Sequence, residues 1–493
     1  MKTLYIKSIK VILALAMVFS MYSCSDDFLE ITPNGVLIAE TTEDYNLLLS
    51  GNGLWFNIAA GDQEVNRSFE ICGLEPHFSS TYGEADPRRN NFAWEPGVID
   101  PEREGGQFSD WLLLYMQRIY VYNKVINEVL DSSGGTEAEK NNIMAEARAA
   151  RAAVYFELIN FYGKPYNTAT ASTDLGVPIV TEADVTVASF TRATVQEIYD
   201  FIIADLTAAI PLLPIGVSEK PRMSKGAAEV LLGKIYVYQN RFNEAIPLFD
   251  TAFSDLQAGT EVRLYDYNVS TLPGGVHAAG FFGPPFDTPV DNLEVAFTMS
   301  VRHTAGFTSS AVLLSPDVSA IFGASDFRLH HFFSRKPFPP FPSTPEFIVP
   351  GVYRKIGSLV IDRGIRIPDI YLLRAECKAR TNDLSGAIED LEFLRMHRMN
   401  PIDAPVPAGL SQDDLIIYIF EERTREFAVK GELWYDMRRL WNDPLFQDKK
   451  PYVHTLYDVD GSVKETFTLD EDRLVLQFSD KILADNPDLV NNP

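Results

Sequence analysis

Cysteine is nearly absent from this chain of 493 residues: three in all, at positions 24, 72 and 377. That is too few for a disulfide framework. Cys377 lies four residues after Leu373 and seven after Ile370, the spacing of one helix face, and reads as core, so a Cys72–Cys377 bridge is not expected. Basic residues are also scarce, 43 against 68 acidic, for a net charge of −25 that grows by three without Lys2, Lys7 and Lys10. Such a chain repels phosphate backbones, so nucleic acid is not an expected partner. After Phe19 no apolar run approaches the roughly 18–20 residues that span a bilayer. Chemistry-bearing motifs are missing too. None of the seven histidines pairs with another at the four-residue spacing that sets two imidazoles on one helix face for zinc, and the adjacent His330 and His331 diverge. No G-x-S-x-G elbow, P-loop or G-x-G-x-x-G occurs. Asp458-Val-Asp460-Gly461 lacks the closing glutamate of a calcium loop and reads as a turn. No catalytic residue, metal or cofactor is therefore expected, although 68 carboxylates always permit some glycosidase-like pair.

What is present begins at the N-terminus. Lys2, Lys7 and Lys10 precede the apolar run Val11–Phe19, and small Ser23 precedes Cys24-Ser25-Asp26-Asp27. A basic segment, a short apolar stretch and a small residue before the cut describe a signal peptide over residues 1–23. Met21-Tyr22-Ser23-Cys24 resembles the lipobox of bacterial lipoproteins, with Met21 where leucine is usual. The acidic pair that follows resembles the surface-export signal of Bacteroidetes lipoproteins. Cys24 is thus the expected lipidation site, and a diacylglyceryl group plus an N-acyl chain would anchor the protein stably, since one chain alone binds only marginally. The expected location is the outer membrane, facing the cell exterior.

The remainder, 24–493, reads as a single domain dominated by α-helix: a helical scaffold over about 109–256 and 364–445, and a loop-rich layer over about 25–108 and 257–363 with few short strands. Within 25–108 only a helix near Thr42–Leu49 is expected. Tyr115, Ile119, Tyr122, Ile126 and Val129 share one helix face. Thr136 with Glu139, and Thr194 with Glu197, have the spacing of capping boxes. Gly163-Lys-Pro-Tyr starts a loop of roughly thirty residues. Leu232-Gly233, Tyr236, Phe242, Ala245, Phe249 and Ala252 reproduce the small-and-large alternation of a tetratricopeptide helix pair, and a weaker copy starts at Pro368 with Ala375, Ala387 and Leu391 around the turn Thr381-Asn-Asp. Ser411 caps a last long helix that runs to Val429. Val295, Phe297, Met299 and Val301 alternate as one strand, and Asp460-Gly461 centres a hairpin. Arg423 falls on the apolar stripe of Ile416, Ile419 and Phe427, so it requires a carboxylate, with Glu376 a candidate. Trp111 and Trp434 read as core.

Several blocks in this order resemble the RagB/SusD family of Bacteroidetes surface lipoproteins: Cys24-Ser-Asp-Asp-Phe-Leu-Glu, Glu146-Ala-Arg-Ala-Ala-Arg, Ser224-Lys-Gly-Ala-Ala-Glu, Tyr371-Leu-Leu-Arg-Ala-Glu376, Glu421-Glu-Arg-Thr-Arg-Glu-Phe, Trp434-Tyr-Asp-Met-Arg-Arg439 and the ending Asn491-Asn-Pro493. The resemblance implies tetratricopeptide-like helix pairs opposite an irregular ligand-holding layer. It also implies a non-catalytic role: capture of oligosaccharide, or in some members peptide, and delivery to a SusC-like TonB-dependent outer-membrane transporter. A surface glycoside hydrolase is the alternative of a different class. Sugars stack their C–H faces on flat rings, so loop aromatics with polar neighbours are the ligand-binding candidates: Trp55, Tyr82, Trp94, Phe281 and Phe282. Phe338-Pro-Pro-Phe341 reads as a stiffened loop suited to the transporter contact.

Overall fold

The computed structural model describes residues 39–493 except 58–62, 83–86, 97–110, 188, 260–261, 279, 281–283, 285–287, 303–311, 339 and 358–359. Cys24 and the expected signal peptide over 1–23 lie outside the described residues. The longer helices are α1 (Trp111–Glu128), α2 (Glu137–Tyr162), α3 (Val195–Ala209), α4 (Lys225–Tyr238), α5 (Phe242–Leu256), α6 (Ile367–Arg380), α7 (Leu384–Met396), α8 (Gln412–Phe427) and α9 (Glu432–Arg439). Capping chemistry sets their starts. At α2, Glu139 N donates to Thr136 Oγ1 (3.2 Å) and Thr136 N donates to Glu139 Oε2 (2.7 Å); Thr194 and Glu197 repeat the exchange at α3. Each box satisfies two amides that the first helical turn leaves unpaired.

The helices stack in chain order: α1 on α2, α2 on α3, α3 on α4, α4 on α5, α5 on α6, and α6 on both α7 and α8. Packing mainly between successive helices is how helical repeats build a continuous core. The small positions of the repeat explain the close approach. A Cβ on Gly233 would sit 2.8 Å from the Phe249 ring, and one on Gly226 would sit 2.8 Å from Leu256. Ala375, Ala387 and Leu391 of the second copy are fully buried. Both copies turn on a left-handed asparagine, Asn240 (φ 59°) and Asn382 (φ 68°), a conformation asparagine tolerates better than most L-residues.

Three expectations need correction. α8 ends at Phe427, two residues before Val429, because the backbone turns left-handed at Val429 (φ 55°) and Gly431 (φ 97°). Residues 39–96 carry more structure than one helix: short helices at Asn52–Trp55, Gln63–Asn66, Glu75–Tyr82 and Pro87–Phe92 join two strands. The alternation over 295–301 is not one strand but two. Strands are β1 (Phe56–Asn57), β2 (Ile71–Leu74), β3 (Val295–Phe297), β4 (Ser300–Arg302), β5 (Val312–Leu314), β6 (Phe333–Ser334), β7 (Arg354–Lys355), β8 (Val360–Asp362), β9 (Ile365–Arg366), β10 (Val453–Tyr457) and β11 (Val463–Thr468). β3 pairs with β9, whereas β4 lies between β1 and β8, and the break comes at Thr298, whose N–H donates to Lys220 O (2.8 Å) instead of a ladder partner. The expected hairpin is β10–β11, extended by β2 and β5 into a four-stranded sheet.

Ion pairs thread the interior between helices and loop layer. Arg423, 2% exposed at its side chain, donates to Asp436 Oδ2 (2.7 Å) and Asp369 Oδ1 (2.8 Å). The expected partner Glu376 is taken by Arg439 (2.7 Å) and Arg380 (2.9 Å) instead, because α9 brings Arg439 over it. Glu422 faces Arg328, Arg395 and Arg425, and Glu426 faces Arg398 and Arg328. Cys72 and Cys377 are buried free thiols, and Trp434 is fully buried. Among the described residues no helix is long and apolar enough to cross a membrane.

Candidate functional site

A cleft in the loop layer collects rings and charges from segments distant in sequence. Tyr265, Tyr267 and His277 line it from the stretch after α5, Phe332 and Phe333 from the helix–strand junction before β6, and Lys355 and Asp362 from β7 and β8. Glu426 and Lys430 enter from the end of α8, and Arg366 from β9. The rings form a cluster: Tyr265 meets His277 edge-on at 4.5 Å between centroids, and Phe332 lies 5.1 Å from Tyr267 and 5.6 Å from His277. Phe332 is the half-buried member of the cluster; Tyr265, Tyr267 and His277 are buried. His277 is held by its Nδ1 against Ser270 Oγ (3.0 Å), and Tyr265 accepts the Leu293 amide (3.0 Å) on its hydroxyl, so the wall is fixed from behind.

The charges are unevenly compensated. Glu426 lies 2.9 Å from Arg398, 3.1 Å from Arg328 and 3.7 Å from Lys430; Glu294 lies 2.6 Å from Arg398; Glu432 is paired with Arg366. Lys355 is half-buried, its Nζ 5.5 Å from the centroid of Phe333, and among the described residues no carboxylate lies within ion-pair distance of it. Burial, with Lys430 and Arg366 nearby, pulls its ammonium down to about 7. Burial lowers Lys430 as well, against the opposing pull of Glu426. Asp362 is pushed up by burial while its Oδ1 accepts the amides of Gly364 (2.9 Å) and Met299 (3.3 Å).

Lys430 is delivered by a strained turn. Val429 is β-branched yet left-handed, a conformation that costs on the order of 1–3 kcal/mol and persists only where its surroundings over-determine it. Those surroundings are visible: Val429 N donates to buried Glu70 Oε1 (3.3 Å), Lys430 N donates to Phe427 O (3.0 Å), and a Cβ on Gly431 would meet Glu64 Cγ at 2.5 Å.

The ring candidates from sequence divide. Trp55 ends the one-turn helix Asn52–Trp55, half-buried, its ring 5.8 Å from Phe56, and that turn is pinned by Arg118 Nε donating to Gly53 O (3.0 Å). Through β1 it belongs to the β1-β4-β8 sheet, whose far strand lines the cleft. Trp94 is a correction. It is 2% exposed, stacks on His454 at 3.7 Å and donates Nε1–H to Arg67 O (2.9 Å), so it plugs the core and offers no face to solvent. Tyr82 closes the helix Glu75–Tyr82, and its side chain lies outside the described residues, as do Phe281 and Phe282; Pro284, two residues on, lines the cleft. Tyr265, Tyr267, His277, Lys355 and Lys430 went unremarked as site residues. Lys355 follows Arg354 directly and carries no local signal, and Lys430 reads from sequence only as a helix stop. A second cavity, more apolar, lies between α8, α9 and the β10 strand, lined by Phe420, Met437, Phe446 and Tyr452.

Comparison with known proteins accounts for this architecture. Residues 77–237 match a family model described as "Starch-binding associating with outer membrane", and residues 356–493 match the model of the SusD family. SusD-like protein P25 of Formosa agariphila is 23% identical over 87% of this chain and 89% of its own length, and SusD-like protein P2 of the same organism is 24% identical over 66% and 71%. Among solved structures, a SusD superfamily protein from Bacteroides thetaiotaomicron superposes with a TM-score of 0.67 at 18% identity, covering 92% of this chain and all of that one. A SusD-like carbohydrate binding protein from Bacteroides vulgatus gives 0.63 at 18% identity, covering 91% and 97%. With two family segments that together take in more than half the sequence and a fold shared nearly end to end, this chain belongs to the SusD/RagB family, and one of the two matching models carries association with the outer membrane in its description.

Proposed function

We propose that the protein is a surface lipoprotein, anchored through Cys24, that captures oligosaccharides and delivers them to a SusC-like TonB-dependent transporter without altering them. The observation that carries the reading is the loop-layer cleft: rings fixed from behind, flanked by lysine, arginine and carboxylate groups, on a scaffold whose family model is described as starch-binding. Rings supply an apolar face to sugar C–H groups, and charged edges supply hydrogen bonds to hydroxyls, a combination typical of sites that bind and orient a polar ligand. Trp55, in the helical turn that leads into the sheet bordering the cleft, is the proposed outlying stacking ring, with Tyr82, Phe281 and Phe282 as further candidates. Exposed Phe341, in the proline-stiffened loop, is a proposed transporter contact.

The mature chain begun after Cys24, titrated calorimetrically against neutral and charged glycans and against peptides, tests capture. Heat from glycan oligomers with no change in their length is the expected result. Silence on every glycan, or shortening of the oligomer, would overturn it. Binding only to peptides would move the protein to the peptide-binding side of the family. Co-purification of an outer-membrane barrel from native membranes tests delivery.

A further inference from the structure

Most carboxylates around the cleft are engaged by arginines and Asp362 accepts two backbone amides, whereas among the described residues no carboxylate lies within ion-pair distance of Lys355. Glu426, Glu432 and Glu294 each face at least one arginine, whereas Lys355 faces Lys430 and Arg366, like charges, with Glu426 and Glu432 engaged elsewhere. An acidic protein with net charge −25 has thus gathered lysines and an arginine in one partly enclosed place. Lys430 reaches it only through the left-handed Val429–Gly431 turn, so the fold tolerates a disfavoured backbone there in order to hold a second cation beside the first. Like charges held together in a cleft of reduced solvation are stabilised by an anion placed between them.

Resting on the oligosaccharide-binding reading above, we infer that the cleft recognises the anionic substituent of an acidic oligosaccharide, a carboxylate or sulfate on a sugar ring, with Lys355 and Lys430 as its cationic contacts. Phe332, the half-buried ring of the cluster, lies in position to cover the sugar that carries the charge. The sugar, in preference to an acidic peptide, is favoured by the face that Phe332 offers. Lysines act as compact point charges and suit either oxyanion, so the structure fixes the charge and leaves carboxylate or sulfate to experiment.

The test uses the mature chain begun after Cys24 and four probes: oligogalacturonate, a sulfated carrageenan oligosaccharide, a maltooligosaccharide and oligoglutamate. One of the two anionic sugars should bind about tenfold or more tightly than the neutral one, as expected for charge-assisted hydrogen bonds, and should weaken with added salt. Which of them binds identifies the oxyanion. Lys355→Met should weaken the anionic sugar far more than the neutral one and so remove that preference, Lys355→Arg should retain most of it, and Lys430→Met provides an independent loss should the first variant fold poorly. Because Lys355 is held near 7, binding measured at pH 8 in buffers of different ionisation heat should take up protons, and affinity should fall as pH rises through that range. Equal or tighter binding of the maltooligosaccharide overturns the inference and leaves oligosaccharide capture standing. Preference for oligoglutamate also overturns it. Silence from all four probes sinks both.

Discussion

Replacing Arg423 by methionine measures what the interior ion pairs contribute. The guanidinium lies 2.7 Å from Asp436 and 2.8 Å from Asp369, with the three side chains 2%, 4% and 6% exposed, so water cannot take its place. Removing one partner of a buried pair usually costs about 3–5 kcal/mol, mostly for the charge left behind. Here each carboxylate keeps a second cation, Lys234 at 2.9 Å from Asp369 and Arg439 at 2.9 Å from Asp436, and methionine retains much of the packing against Phe427. The expected loss is therefore near the lower end, about 3 kcal/mol at pH 7. Its pH dependence is the sharper test. Burial pushes the Asp369 carboxyl up, but Lys234 and Arg423 outweigh it and hold it well below the usual carboxylate range. A depressed acid contributes stability that is present above its unfolded value, near 3.9, and is lost as pH falls through its folded value. Without Arg423 the carboxyl's folded value rises, so urea unfolding should show the full deficit at pH 7 and a smaller one as pH falls through the variant's folded value, the unfolded state's own titration being common to both proteins. A deficit under about 1 kcal/mol at pH 7, or one that grows as pH falls, would refute the reasoning.

Glu70 is fully buried against Val429, and burial raises its carboxyl to about 7, so stability should fall between pH 4.5 and 7 as the folded state resists ionisation; Glu70→Gln should remove on the order of 3 kcal/mol of that decline and match the wild type below pH 4.5, as read by thermal unfolding across pH. Gly233→Val drives a branched side chain into the Phe249 ring and should cost about 1–3 kcal/mol in urea unfolding, with Ala245 and Phe249 too closely packed to yield. Trp94→Ala should cost about 3–5 kcal/mol and leave a folded remainder with unchanged ligand selectivity, whereas Trp55→Ala should change stability by less than about 1 kcal/mol and weaken glycan binding, which calorimetry and melting together distinguish.

Helix existence was legible because it is written locally. Thr136 with Glu139 and Thr194 with Glu197 are three residues apart, and Gly233 against Phe249 needs only the period of a helix pair, so caps, turns and the repeat follow from neighbours in the chain. The loop layer is built otherwise. The strand read across 295–301 splits because Thr298 finds Lys220, nearly eighty residues earlier, and no local pattern carries that partner. Arg423 announced that it needed a carboxylate but not which one; the approach of α9 gave Glu376 to Arg439 and left Asp369 and Asp436 for Arg423. Trp94 shows the same limit for rings: polar neighbours in a loop suggested an exposed indole, and a left-handed backbone at φ 54° turned it inward onto His454.

By itself the sequence determined the helical class, the repeat, the acidic surface and the family to which the chain belongs, since periodicity, capping pairs and short signature blocks are properties of contiguous residues. Only the tertiary structure decided which charges neutralise one another and which lysine is left over in the cleft, because an ion pair depends on distances between segments that the chain order does not fix.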